Sequence, residues 1–151
     1  MRAQTHLAFG FFSGLVLMNY INIGNKYLFF VFLLLGSLLP DIDTPNSKIS
    51  NRIPVIPKIL SIFAKHRGIF HSIFLALGFA AVIWMFEPVY GIALFSGYFS
   101  HLLIDGFTKR GVNLLHPISH LRIAGPIETG KIWEWAFLVV VIAGIVLSLM
   151  K

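Results

Sequence analysis

The sequence predicts an all-α fold: a polytopic membrane helical bundle of about five transmembrane or re-entrant helices, with the N-terminus cytoplasmic. Hydrophobic residues make up 57% of the 151-residue chain and charged residues 12%, whereas a soluble domain is about one quarter charged. Mean hydropathy is +0.83. The apolar residues fall in five runs, and the basic residues gather in the loops that share one side of such a bundle. At this length the chain, 1–151, is expected to be one membrane-embedded domain with no separate soluble module.

The first run, 7–23, follows Arg2. No small-x-small cleavage pattern follows Met18-Asn19-Tyr20, so it reads as a retained helix and not as a signal peptide. Gly10 and Gly14 give it a small face for close packing. The second run, 27–39, would reach only about 20 Å as a helix, against a hydrocarbon core of roughly 30 Å. It therefore extends further, thins the membrane, or forms half of a re-entrant hairpin with the first, and Pro40 ends it. Residues 41–68 are a polar connection with Pro45, Pro54 and Pro57, in which 53–63 predict a short amphipathic surface helix. A third run, 69–86, and a fourth, 89–107, are separated by Glu87-Pro88. A long loop, 108–131, precedes the last run, 132–150, whose Trp133-Glu134-Trp135 start is an interfacial aromatic anchor.

Five crossings place the N-terminus and the loops 41–68 and 108–131 on one side. Arg2, Lys48, Arg52, Lys58, Lys65, Arg67, Lys109, Arg110, Arg122 and Lys131 lie there, ten of the twelve basic residues, against Lys26 and Lys151 opposite. That side is expected to be cytoplasmic, and a re-entrant first pair would leave the assignment unchanged. The formal charge of +6 thus reflects positive-inside topology and attraction to anionic lipid, with no direct nucleic-acid partner.

His101 and Asp105 stand four apart, so on a helix they share one face and can hold one divalent ion. His6 precedes the first run, Asp41 and Asp43 follow the second, His66 and His71 bracket the start of the third, and His116 and His120 follow the fourth. All six histidines and all three aspartates therefore fall at one membrane face, where Glu87 is the only acid opposite. A lone interfacial histidine or aspartate is ordinarily a cap or a packing residue; their convergence points to a metal site. The candidate ligands are His6, Asp41, Asp43, His66, His71, His101, Asp105 and His116.

With no cysteine, the donors are oxygen and imidazole, which suit Zn²⁺, Mn²⁺ or Fe²⁺, and their number would serve two or three ions. A carboxylate shared by two ions can place a nucleophilic water at a phosphoryl centre whose charge the ions neutralise. Asp41, Asp105 and Arg67 are the candidate catalytic residues. Arg67, Lys109, Arg110 and Arg122 could clamp an anionic head group; positive-inside topology accounts for all but Arg67, which sits between two candidate ligands.

Thr5-His6, Ser37-Leu38-Leu39-Pro40-Asp41-Ile42-Asp43, His66-Arg67-Gly68-Ile69-Phe70-His71-Ser72 and Phe99-Ser100-His101-Leu102-Leu103-Ile104-Asp105, continuing through Gly111 to Leu114-Leu115-His116-Pro117, resemble the YdjM-like inner-membrane proteins. That family is described as metal-dependent hydrolases, some of them LexA-binding. More distantly it is similar to the zinc-dependent phospholipase C and P1 nuclease superfamily. The resemblance implies a first metal on Asp41, His71 (or His66), His101 and Asp105, and a second shared through Asp105 with His6. His116 could serve a third, but no His-x-x-x-Glu pair is present, so two zinc ions are the expectation.

The leading expectation is thus a multi-pass inner-membrane hydrolase that cleaves a lipid-like phosphoester with a metal-activated water at the cytoplasmic face. The alternative is a non-enzymatic scaffold or regulator docking a cytoplasmic partner such as a repressor. An ion transporter would need polar groups through the membrane depth, and the first, second and fifth runs carry no charge in their centres.

Overall fold

Where two glycines fall opposite two backbones, two helices can nearly touch, and that contact organises this bundle. The computed structural model describes residues 1–43, 69–119 and 121–150. Its helices are α1 (Ala3–Leu17), α2 (Lys26–Leu38), α3 (Ile73–Trp84), α4 (Pro88–Gly106) and α5 (Ile132–Leu149), with a 3₁₀ turn, Leu39–Asp43, continuing α2. Among the described residues there is no strand, only the isolated bridges Thr108–Ile127 and Val112–Ile123. The fold is all-α. The expected surface helix at 53–63 lies outside the described residues, as do His66, Arg67 and His120.

Local chemistry sets the helix ends. Asn25 caps α2, its side-chain oxygen accepting from the Leu28 N–H at 3.2 Å. Ser72 caps α3: its hydroxyl accepts from the Leu75 N–H at 3.4 Å and donates to the Ile69 carbonyl at 2.7 Å. That cap shortens the expected third run, 69–86, to residues 73–84 and leaves His71 in the turn before the helix. Pro88 opens α4, where its missing N–H costs nothing. α1 begins at Ala3, four residues before the apolar run, and stops at Leu17 instead of residue 23.

These lengths matter for the membrane. The 15 residues of α1 and the 12 of α3 reach about 22 and 18 Å. Among the described residues α5 alone is both long and apolar enough to cross a bilayer, with mean hydropathy 2.3 and only 11% of its residues buried.

α4 is the hub, packing on α2 most extensively and then on α3 and α1, while α5 packs on α1. A Cβ on Gly36 would stand 2.2 Å from the Leu94 carbonyl oxygen, and one on Gly97 would stand 1.8 Å from that of Leu33. Only glycine allows α2 and α4 so close. Gly10 faces Ser37, and Gly14 faces Leu33 and Phe30, so the small face read in the first run is the α1–α2 seam. Phe29, Leu33 and Ala93 fill one end of the core, and Ala76, Tyr98, Leu102 and Val112 the other.

Beyond α4 the chain doubles back. Lys109 N–H donates to the Ile127 carbonyl and Val112 N–H to that of Ile123, each at 2.8 Å. Gly111 makes the bend with φ of 64°, leaving Lys109 and Arg110 beside the end of α4.

Candidate metal centre

Five ionisable side chains meet where the ends of α1, α2, α3 and α4 converge. His6 comes from the second turn of α1, Asp41 from the turn after α2, His71 from the turn before α3, and His101 and Asp105 from the last turns of α4. His6 and His101 are fully buried, and their rings stack with centroids 3.6 Å apart and planes 11° from parallel. His71 meets the His101 ring edge-on at 5.6 Å.

Asp105 faces two ways. Its Oδ1 lies 3.3 Å from His6 Nε2, and its Oδ2 lies 3.5 Å from His101 Nε2 and 3.8 Å from His71 Nε2. The Met1 ammonium also donates to Oδ1, at 2.5 Å. Asp41 Oδ1 approaches His101 Nε2 at 3.9 Å.

The donor pattern fits a metal. His101 Nδ1 lies 2.8 Å from the Ser37 carbonyl oxygen. A carbonyl can only accept, so Nδ1 carries the proton, and in the neutral ring Nε2 carries the lone pair. That lone pair points at two carboxylates, which also only accept. His101 Nε2 and both ring nitrogens of His6 are buried with no hydrogen-bond partner, and such groups are expensive to leave unmade. A cation among them would satisfy all the acceptors together. His71 stands outside the helices. Burial, aided by the neighbouring His101, pushes its pKa down to about 4, leaving a neutral ring able to ligate.

Two ligand sets can be drawn, each with donor atoms within 4.8 Å of one another: His6, Asp41 and His101, and His71, His101 and Asp105. With Nδ1 committed to Ser37, His101 has one donor to give, so it serves one ion. Asp105 has two oxygens on opposite sides and can serve two. The structure thus brings together His6, Asp41, His71, His101 and Asp105. His116 belongs to neither set, nothing is described of the Asp43 side chain, and His66 and Arg67 lie outside the described residues.

Two supporting groups escape sequence reasoning. One is the Ser37 backbone carbonyl, which no side-chain pattern announces. The other is Glu134, read above only as part of an aromatic anchor. Its carboxylate is 2% exposed and accepts from Arg2 N–H at 2.5 Å, Thr5 hydroxyl at 3.0 Å and Gly130 N–H at 2.5 Å. It ties the start of α5 to the first turn of α1, one residue from His6. An acid in the first turn of an apolar helix was the available signal.

A helical protein with a partly buried histidine–aspartate cluster at converging helix ends is one built around a candidate metal centre, and one of its helices is long and apolar enough to cross a bilayer. The family comparison agrees on the membrane: the model described as "YdjM inner membrane protein" matches residues 1–150, and the chain belongs to that family. It is 33% identical over 117 residues to "Uncharacterized protein YvsG" of Bacillus subtilis, covering 75% of this chain and 70% of that protein. It is 36% identical over 93 residues to "Inner membrane protein YdjM" of Escherichia coli, covering 56% of this chain and 46% of that one. The same figures hold for the Shigella flexneri protein of that name. The matched region thus spans about half the length of these YdjM proteins. No solved structure matches.

Proposed function

We propose that this protein is a multi-pass inner-membrane, metal-dependent hydrolase of one domain that cleaves a lipid-like phosphoester at the cytoplasmic face. The observation that carries the reading is the set of buried imidazole nitrogens of His6 and His101 that make no hydrogen bond yet lie against the two oxygens of the Asp105 carboxylate. Asp105 Oδ2, His71 and His101, with Asp41 beside them, would hold one ion; Asp105 Oδ1 and His6 would hold the other. Zn²⁺ suits these donors best. Bound there, two such ions would supply charge neutralisation at a phosphoryl centre and a water acidified towards neutral pH.

The chain's own residues do the rest. Ser37 fixes the His101 tautomer and ring orientation, the kind of support that metal-ligating histidines commonly receive. Glu134 steadies the turn that carries His6. The exposed apolar face of α5, with Trp133 and Trp135 at its start, would hold the site at head-group depth. In the proposed topology the N-terminus and the basic loop 108–131 lie on the cytoplasmic side with the site.

The test is to purify the full chain, measure its metal content, and assay phospholipid and generic phosphodiester cleavage beside His101→Ala and Asp105→Asn. About two zinc ions per chain, lost together with cleavage in the variants, is the expected result. No bound metal with the ligands intact ends this reading. A metal-loaded chain that cleaves nothing, and whose Asp105→Asn variant loses only a protein partner, favours the regulator.

A further inference from the structure

A cavity of about 330 Å³ opens beside the metal centre. Asp41, Asp105, Thr108 and Met1 line one part of it, and Lys109, Arg110 and Ile127–Thr129 line another. It is a polar chamber, unlike the apolar grooves between the helices, such as the one walled by Leu77, Trp84 and Phe95. Its volume is at the small end for ligand sites, roughly 300–1,000 Å³. A compact polar group fits it, and acyl chains would stay outside in the bilayer.

The charges on its walls are not equivalent. The Met1 ammonium is held by Asp105. Lys109 pairs with Glu128, which also pairs with Lys131. Arg110 has no acidic partner among the described residues, and it is exposed and presented by the doubled-back loop. An unpaired guanidinium facing a chamber whose far end is the carboxylate pair of the candidate metal centre is suited to a ligand with anionic oxygens. Its fork can take two phosphate oxygens at once, which an ammonium cannot.

We propose that this cavity seats a phosphate-ester head group of glycerol phosphate size, with Arg110 gripping phosphate oxygens while the ester faces Asp41 and Asp105. The proposal rests on the hydrolase reading of that centre and names its substrate class and a specificity residue. Glu128 has a part in it: by engaging Lys109 and Lys131 it leaves Arg110 as the discriminating cation.

The test measures binding, with full-length protein in detergent, zinc-loaded and then stripped with chelator, titrated calorimetrically with dihexanoyl phosphatidic acid and, separately, with glycerol 3-phosphate. Arg110→Gln should raise Kd about tenfold or more while zinc content and helical circular dichroism stay unchanged. Arg110→Lys should fall between, and Lys109→Gln should change Kd less than Arg110→Gln. Arg110-dependent binding of the lipid alone identifies a membrane head group; equal binding of glycerol 3-phosphate identifies a soluble ester. Both support the pocket. Arg110→Gln binding both ligands with the wild-type Kd overturns it. The hydrolase reading fails separately: a wild-type chain that carries no zinc but still binds phosphate through Arg110 keeps the pocket and loses the chemistry.

Discussion

Gly97→Ala is the smallest change that should damage both the bundle and the metal centre. The added methyl carbon would lie 1.8 Å from the Leu33 carbonyl oxygen, 2.8 Å from its carbon and 3.0 Å from the Ser37 nitrogen. All three are backbone atoms, so no rotamer change relieves the clash. Ordinary contact begins at 3.4 Å, so α2 and α4 must separate locally by well over an ångström. The bond between His101 Nδ1 and Ser37 is 2.8 Å long and would not survive a shift of that size. Asp41, three residues after α2, would move away with it. Overpacking costs about 1–3 kcal/mol and the broken buried hydrogen bond about 1–3 more, for a loss on the order of 2–6 kcal/mol. Thermal unfolding in detergent should show a clearly lowered Tm, and zinc per chain should fall. Gly78→Ala is the control: nothing lies within 4 Å of a Cβ there, so alanine in mid-helix should stabilise by about 0.5–1 kcal/mol. Unchanged Tm and zinc in Gly97→Ala, or an equal loss in Gly78→Ala, would refute the reasoning.

Glu134→Ala should cost about 3 kcal/mol or more by stranding the Arg2 and Gly130 N–H groups and the Thr5 hydroxyl, and should weaken zinc uptake through His6. Glu134→Gln, which keeps one carbonyl oxygen, should recover part of both; wild-type Tm and zinc titration in the alanine variant would dismiss the clamp. Ser72→Ala removes the α3 cap and should lower stability by about 1 kcal/mol, with Ser72→Asn much closer to wild type. Lys109 and Lys131 hold Glu128 down at about 2 from its ordinary 4.5. Its folded pKa is depressed, so its contribution is complete above pH 4.5 and lost as pH falls through about 2. Carbon-13 NMR of the Glu128 carboxyl should show no titration near 4.5, and a midpoint there would show the pairing to be absent in solution.

Much of this arrangement was legible because it depends on spacing. His101 and Asp105 share a helix face by periodicity alone, and the breaks at Pro40 and Glu87-Pro88 fall where helices must stop. The glycine seam was half legible: Gly10 and Gly14 form a repeat within one run, whereas Gly36 and Gly97 matter only as a pair brought together by the fold. Glu134 showed only as an acid in the first turn of an apolar helix, and its partners were hidden because two backbone N–H groups and one hydroxyl leave no pattern in a sequence. Which oxygen of Asp105 faces which histidine depends on the roll of α4 against α1 and α3, and helical spacing does not set that roll.

The same residues explain why hydropathy does not single out α4. α4 has 19 residues, length enough for about 28 Å, yet it is not among the helices apolar enough to qualify. It buries Ser100 and His101, its last turns carry Asp105, and Gly91 and Gly97 serve close packing instead of hydrophobicity. Packing on α1, α2 and α3 covers Gly91, Gly97, Ser100 and His101. α5, which contributes Glu134 and no ligand, keeps its lipid-like composition and alone passes. A helix at the centre of such a cluster gives up apolar character to the ionisable groups and the close packing it carries. The hub α4 therefore has the length to cross a bilayer but not the apolar composition that α5 keeps.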